Sequence, residues 1–173
     1  MIWLDLEMTG LDPEHNVILE VGSAVTDSNL NMIAEGPVFA ISQPDSVLTT
    51  MDPWCIEQHG KSGLTERSRT SQVSLAEAEE KTLAFVRQHC IPKASPLCGN
   101  SIGQDRRFLY KYMPALNAFF HYRNVDVSTI KELVQRWYAP ANHAPEKKKT
   151  HYVLDDIRES IEELRHYRRE IFK

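Results

Sequence analysis

Residues 1–8 read MIWLDLEM, and the period of this stretch decides how the rest of the chain is arranged. Ile2, Leu4 and Leu6 alternate with Trp3, Asp5 and Glu7, the period of two expected of a β-strand with distinct faces. Asp5 and Glu7 then share a side, roughly 7 Å apart along the backbone at the rise of a strand. At that separation both carboxylates can reach one metal centre. Like charges in an apolar setting are costly unless a cation or a proton neutralises them. An exposed acidic strand edge would carry the same D-x-E, so the pair alone decides nothing. Thr9, Gly10, Leu11, Asp12 and Pro13 follow as a turn and end the strand.

Outward from that strand, residues 17–27 (VILEVGSAVTD) and 32–41 (MIAEGPVFAI) read as two more, joined by a turn at Asp27, Ser28 and Asn29. The three make an antiparallel meander. Pro44, Pro53, Gly60 and Gly63 break residues 42–70 into short helices and loops. Ser74 and Glu77 stand at capping-box spacing, and Ala76, Leu83, Val86 and Cys90 recur at helical intervals until Pro92. Residues 96–100 (PLCGN) are a short buried strand, and 104–113 an amphipathic helix that starts near Asp105 and stops at Pro114. Residues 121–127 (HYRNVDV) alternate as a further strand. Ser128 or Thr129 caps the next helix, with Glu132 completing a box from Thr129. Prolines and three consecutive lysines make 139–150 a surface loop. A last helix over 152–172 buries Leu154, Ile157, Ile161 and Leu164. The order β-β-β-α-β-α-β-α predicts an α/β architecture, a mixed sheet flanked by helices.

With 173 residues, 42% hydrophobic and 25% charged, the chain fits one domain over 1–173 with its own core. No apolar run approaches the roughly 18 residues of a membrane span, and the first residues lack the pattern of a secretory signal. Cys55, Cys90 and Cys98 have no C-x-x-C spacing, so neither a zinc knuckle nor a disulfide framework is suggested, and a reducing compartment is the simplest home. A net charge of −4 argues against a stable grip on long nucleic acid through broad phosphate neutralisation. It leaves room for a small anionic substrate held through metal.

Four acidic positions stand where this order of elements can bring them together: Asp5, Glu7, Asp105 and Asp156, with His151 just before the last helix. This constellation resembles the DEDDh family of 3'-to-5' exonucleases. The surrounding words, WLDLEMTGLDP (3–13), AEGP (34–37), GNSIGQDRRFLYKYMP (99–114), HYRNVDVSTIKEL (121–133) and DDIRESIEEL (155–164), resemble its oligoribonuclease branch. The resemblance implies a ribonuclease H-like fold and hydrolysis of short oligoribonucleotides to nucleoside 5'-monophosphates, by a homodimer without a membrane partner. It implies two divalent ions, Mg²⁺ or Mn²⁺, on Asp5, Glu7, Asp105 and Asp156, a donor set suited to hard cations. His151 would be the general base. Periodicity cannot choose between Asp155 and Asp156, which flank the buried stripe on opposite sides; the family's spacing of a histidine and an aspartate five places on selects Asp156. Val153 stands where the family usually has a small residue.

The same resemblance assigns substrate contacts. Leu11 and Trp54 match an apolar pair that wedges or stacks on bases, and His59 and Ser101 match polar contacts to the substrate backbone. Tyr122 and Arg123, in the HYR at 121–123, match the segment with which one subunit binds the terminal phosphate in its neighbour's site. The location implied is cytoplasmic, with relatives in mitochondria as well. Two other activities use the same features: a DNA-trimming or proofreading exonuclease, and a non-catalytic module that binds RNA ends. The second gains nothing from anions clustered beside phosphate.

Overall fold

A computed structural model describes residues 1–140, 143–144 and 152–172. Its sheet is built outward from β1 (Ile2–Met8), which pairs antiparallel with β2 (Ile18–Thr26) and parallel with β5 (Leu97–Gly99). Across the sheet the order is β3-β2-β1-β5-β6, with β3 at Met32–Glu35 and β6 at Asn124–Asp126. A two-residue strand, β4 (Phe39–Ala40), also pairs with β2. The expected meander, the mixed sheet and its flanking helices are all present.

Period two in β1 divides the core. Ile2, Leu4 and Leu6 face one cluster, with Ala78, Leu83 and Val86 of α4 (Leu75–His89), Phe108 and Leu109 of α5 (Ile102–Tyr112), and Leu116 and Phe119 of α6 (Pro114–Phe119). Trp3 faces the other, with Val127 and Val134 of α7 (Val127–Trp137) and Ile157, Ile161 and Leu164 of α8 (Val153–Glu170). Asp5 and Glu7 continue the Trp3 side. They are therefore aimed at α8.

Several expectations need correction. Residues 32–41 are not one strand: Pro37 lacks a ladder donor, and Gly36 crosses tightly over Ser23, donating its N–H to the Ser23 carbonyl at 2.8 Å. Pro114 ends α5 but also opens α6 at the first helical position, where its missing N–H costs nothing. Strand β6 covers only 124–126, and α7 is capped by Asp126, whose carboxylate accepts from Ser128 N–H at 3.0 Å. Glu132 pairs with Arg136 instead of closing a box. Within 42–70, the short helices are α1 (Asp45–Leu48), α2 (Pro53–Lys61) and α3 (Leu64–Thr70). Ser74 caps α4 as its spacing predicts, accepting from Glu77 N–H at 3.2 Å. The three cysteines are free. Among the described residues no helix is long and apolar enough to cross a membrane. Most of the 139–150 loop, and His151 after it, lie outside the described residues.

Candidate active site

The site forms where α8 starts above β1. Asp5 lies opposite Gly22 on β2, and a Cβ placed on Gly22 would come within 2.6 Å of Val153 Cγ2. Because Gly22 has no side chain, Val153 sits buried on the sheet beside Asp5. One helical turn further, Asp156 is brought over β1. Oxygens of Asp5, Glu7 and Asp156 lie within 4.8 Å of one another. A register shift between Glu7 and Met8 ends the regular pairing at this point. Bulges of this kind re-aim a side chain next to functional sites.

Asp105 stands beside this trio rather than within it. It is buried in the first turn of α5, and its Oδ1 accepts the Leu6 N–H at 3.0 Å, between the two strand carboxylates. Burial drives its acidity down and holds its pKa above the ordinary carboxylate range. Glu7 is pushed up to about 8 by burial first, then by the charges of Asp156, Glu20 and Asp105. A divalent cation would remove that penalty. Four carboxyl groups gathered here, Glu7 and Asp105 with their proton affinity raised by burial, fit a hard divalent ion as ligands.

Asp155 turns elsewhere. Arg158 donates to it at 2.8 Å while clamping both oxygens of Glu35 on β3 at 2.7 Å. Asp156 is the aspartate that faces β1.

His59, in α2, is 1% exposed. Its Nε2 lies 2.8 Å from the Met8 carbonyl, which can only accept, so this nitrogen carries a proton; Nδ1 is 3.9 Å from Glu7 Oε2. It lies behind Glu7. Ser101 is exposed in the left-handed region at φ 51°, and its N–H donates to Asp126 Oδ1 at 2.9 Å.

Leu11 and Trp54 flank a cavity of about 420 Å³ that is also lined by Gly10, Asp52 and Cys55. Asp52 accepts from Trp54 N–H at 2.9 Å as the cap of α2, and its own N–H donates to the Thr9 carbonyl. That link ties the start of α2 to the turn after β1. Leu11 is 70% and Trp54 55% exposed, so both are available to a ligand and neither is ordinary core. Tyr122 and Arg123 are exposed just before β6, with the Arg123 guanidinium 5.3 Å from the Tyr122 ring centre.

Sequence reasoning missed the supporting residues. Glu20, opposite Glu7 on β2, is buried and paired with Arg67 at 2.7 Å. Arg67 also lies over the Tyr152 ring, next to the start of α8. A single acid inside the apolar run VILEV was the available signal, since a buried charge demands a partner.

A family model described as an exonuclease, RNase_T, matches residues 2–164. A protein named oligoribonuclease from Marinobacter nauticus is 62% identical over 173 residues, covering all of this chain and 96% of that one. The chain belongs to the oligoribonuclease family. Other oligoribonucleases, from Pseudomonas aeruginosa and Colwellia psychrerythraea, are each 60% identical over the same span. In fold, this member of the family is similar to E. coli exonuclease I bound to single-stranded DNA, with a TM-score of 0.73 at 16% identity, over 98% of this chain and 40% of that one.

Proposed function

We propose that residues 1–173 act as one 3'-to-5' exoribonuclease domain. It cuts RNA of two to about five nucleotides, the length range the oligoribonuclease resemblance implies for a site closed by a neighbouring subunit. The observation that carries this is the meeting of the Asp5, Glu7 and Asp156 oxygens beside the Leu11–Trp54 cavity. Asp105 completes the set of ligands.

Asp5, Glu7, Asp105 and Asp156 would hold a pair of Mg²⁺ or Mn²⁺ ions, which would supply activation of the attacking water and stabilisation of the leaving oxygen. The chain's own residues do the rest. Strand β1 fixes two carboxylates, and the Leu6 N–H fixes Asp105. His151 takes the proton of the attacking water as general base. Leu11 and Trp54 hold the bases without reading them, because every base offers a π-face. Ser101 contacts the substrate backbone from the open start of α5, while His59, expected to do the same, is buried with Nε2 on the Met8 carbonyl and acts from behind Glu7 by holding that carboxylate in place.

In the homodimer, Tyr122 and Arg123 of one subunit bind the terminal phosphate in the other's site. A longer chain would collide with that cap. The product is a nucleoside 5'-monophosphate, and the cytoplasm is the proposed location.

A timed digest of a labelled diribonucleotide, with and without chelator, tests this. Rapid release of 5'-monophosphate that stops with chelator and returns with Mg²⁺ or Mn²⁺ is expected. Equal turnover of a much longer RNA would overturn the short-substrate reading, and activity in chelator would overturn the metal assignment. A preference for the deoxy dinucleotide would favour DNA trimming, since the 2'-OH is the handle on sugar type.

A further inference from the structure

Residues 121–123 do not form the strand that their alternation predicts, and the cause is one side chain. Arg106 follows Asp105 on α5. Its Nη2 donates to the His121 carbonyl at 2.9 Å, and its Nη1 to the carbonyls of Tyr122 at 3.1 Å and Arg123 at 3.3 Å and to Asn124 Oδ1 at 2.6 Å. In an extended strand successive carbonyls point to opposite sides. Three in a row converging on a single guanidinium curl the backbone inward. The side chains are turned outward: Tyr122 is 72% exposed, its ring 4.3 Å from that of His121 and under the Arg123 guanidinium.

We propose that Arg106 is the positioning residue that presents Tyr122 and Arg123 to the terminal phosphate, joining that contact to the helix that carries Asp105. The inference rests on the reading above that Tyr122 and Arg123 bind this phosphate. Arg106 touches neither substrate nor metal. Its planar fork of donors reaches four acceptors at once, which a lysine ammonium on a flexible stem does not reproduce. Losing it leaves the carbonyls to water and the two side chains to be ordered when substrate binds, a cost that falls on binding and not on chemistry.

The test compares a diribonucleotide carrying a 5'-phosphate with its 5'-hydroxyl counterpart. In R106M the KM for the phosphorylated substrate is expected to rise roughly tenfold, with kcat within about twofold and the 5'-hydroxyl substrate unaffected, the scale of re-ordering two side chains. R106K should resemble R106M. N124A, which removes one anchor of the same guanidinium without touching α5, should shift KM in the same direction by less, and it keeps the test usable if R106M folds poorly. In the double variant R106M/R123A the two effects should not add, because one acts through the other. A phosphate preference kept by R106M and N124A, or equal loss on both substrates, overturns the proposal while leaving phosphate capture by Arg123 intact. A wild-type enzyme without phosphate preference overturns both.

Discussion

The two sides of the site are built on opposite terms. On one side Asp5, Glu7, Asp105 and Asp156 sit on regular elements, partly or fully buried, at distances fixed by strand pairing and by the seat of Val153 on Gly22. On the other, Leu11 and Trp54 lie on a turn and the first turn of a helix, more than half exposed. Carboxylates that hold cations need rigid geometry, and burial strengthens their grip while making the empty site unstable. Groups that stack on any base need access and tolerance instead. The difference teaches that stability and chemistry are opposed at the first place and independent at the second.

Replacing one carboxylate gives the largest effect. D156N should lower turnover by at least roughly 10³-fold, the several kcal/mol that metal-assisted hydrolysis supplies. The same change should raise the melting temperature of metal-free protein, because the Asp156 charge is among the causes that hold Glu7 protonated. D155N, at the Arg158 salt bridge, is the control, expected to change turnover by less than about twofold, since exposed pairs contribute little. A loss of turnover in D156N accompanied by a lower melting temperature would break the opposition of stability and chemistry.

Titration comes next. Glu7 has an ordinary value of 4.5 and is held at about 8 in the folded protein, so between these values the folded state binds a proton that the unfolded state has released. That contribution is fully present below about 4.5 and is lost as pH rises through about 8. Metal-free protein should therefore lose stability, on the order of a few kcal/mol, between about pH 5 and 8. Asp105, raised by burial, acts in the same direction. Melting curves in chelator should fall across this range, and Mn²⁺ should flatten them. A metal-free protein equally stable across the range would mean that the carboxylates are not under mutual strain.

Much of this was legible in the chain. The alternation in residues 1–8 placed Asp5 and Glu7 on one face, and the apolar stripe of the last helix placed α8. The fate of residues 121–123 was not legible, because local alternation carries no information about a guanidinium that follows Asp105 in another element. Nor was the split at Gly36, which depends on crowding against Ser23 and Phe85. Glu20 and Arg67 meet across 47 positions, a pairing that only the fold defines. Periodicity could not separate Asp155 from Asp156, because the pairing that turns Asp155 away, through Arg158 to Glu35, spans elements that only the fold brings together.

The seat of α8 offers a change of intermediate size. G22A puts a methyl group where Val153 Cγ2 lies, at 2.6 Å, and the start of α8 must move away from β2. Overpacking of this kind costs roughly 1–3 kcal/mol. Asp156 moves with the helix, and a displacement on the order of 1 Å can lower turnover by about 10²-fold. Adding V153A restores the space. Recovery of both melting temperature and turnover in G22A/V153A would show that Val153 sets the height of Asp156 above β1; recovery of stability alone would place the fault elsewhere in the site.

The exposed rim gives the smallest and cleanest effect. W54A removes a ring that is 55% exposed, so the melting temperature should stay within about 1 °C, as surface substitutions change stability little. Base stacking on an aromatic ring is worth roughly 1–3 kcal/mol, which predicts a KM about 5- to 100-fold higher with kcat nearly unchanged. L11A should act in the same direction and, because both side chains line one cavity, the two changes should combine non-additively. The carboxylate variants do the reverse, moving kcat and stability together in opposite senses. Should W54A instead depress kcat to the level of D156N, the rim would be part of the catalytic geometry, and the separation between a buried, strained centre and a tolerant entrance would be lost.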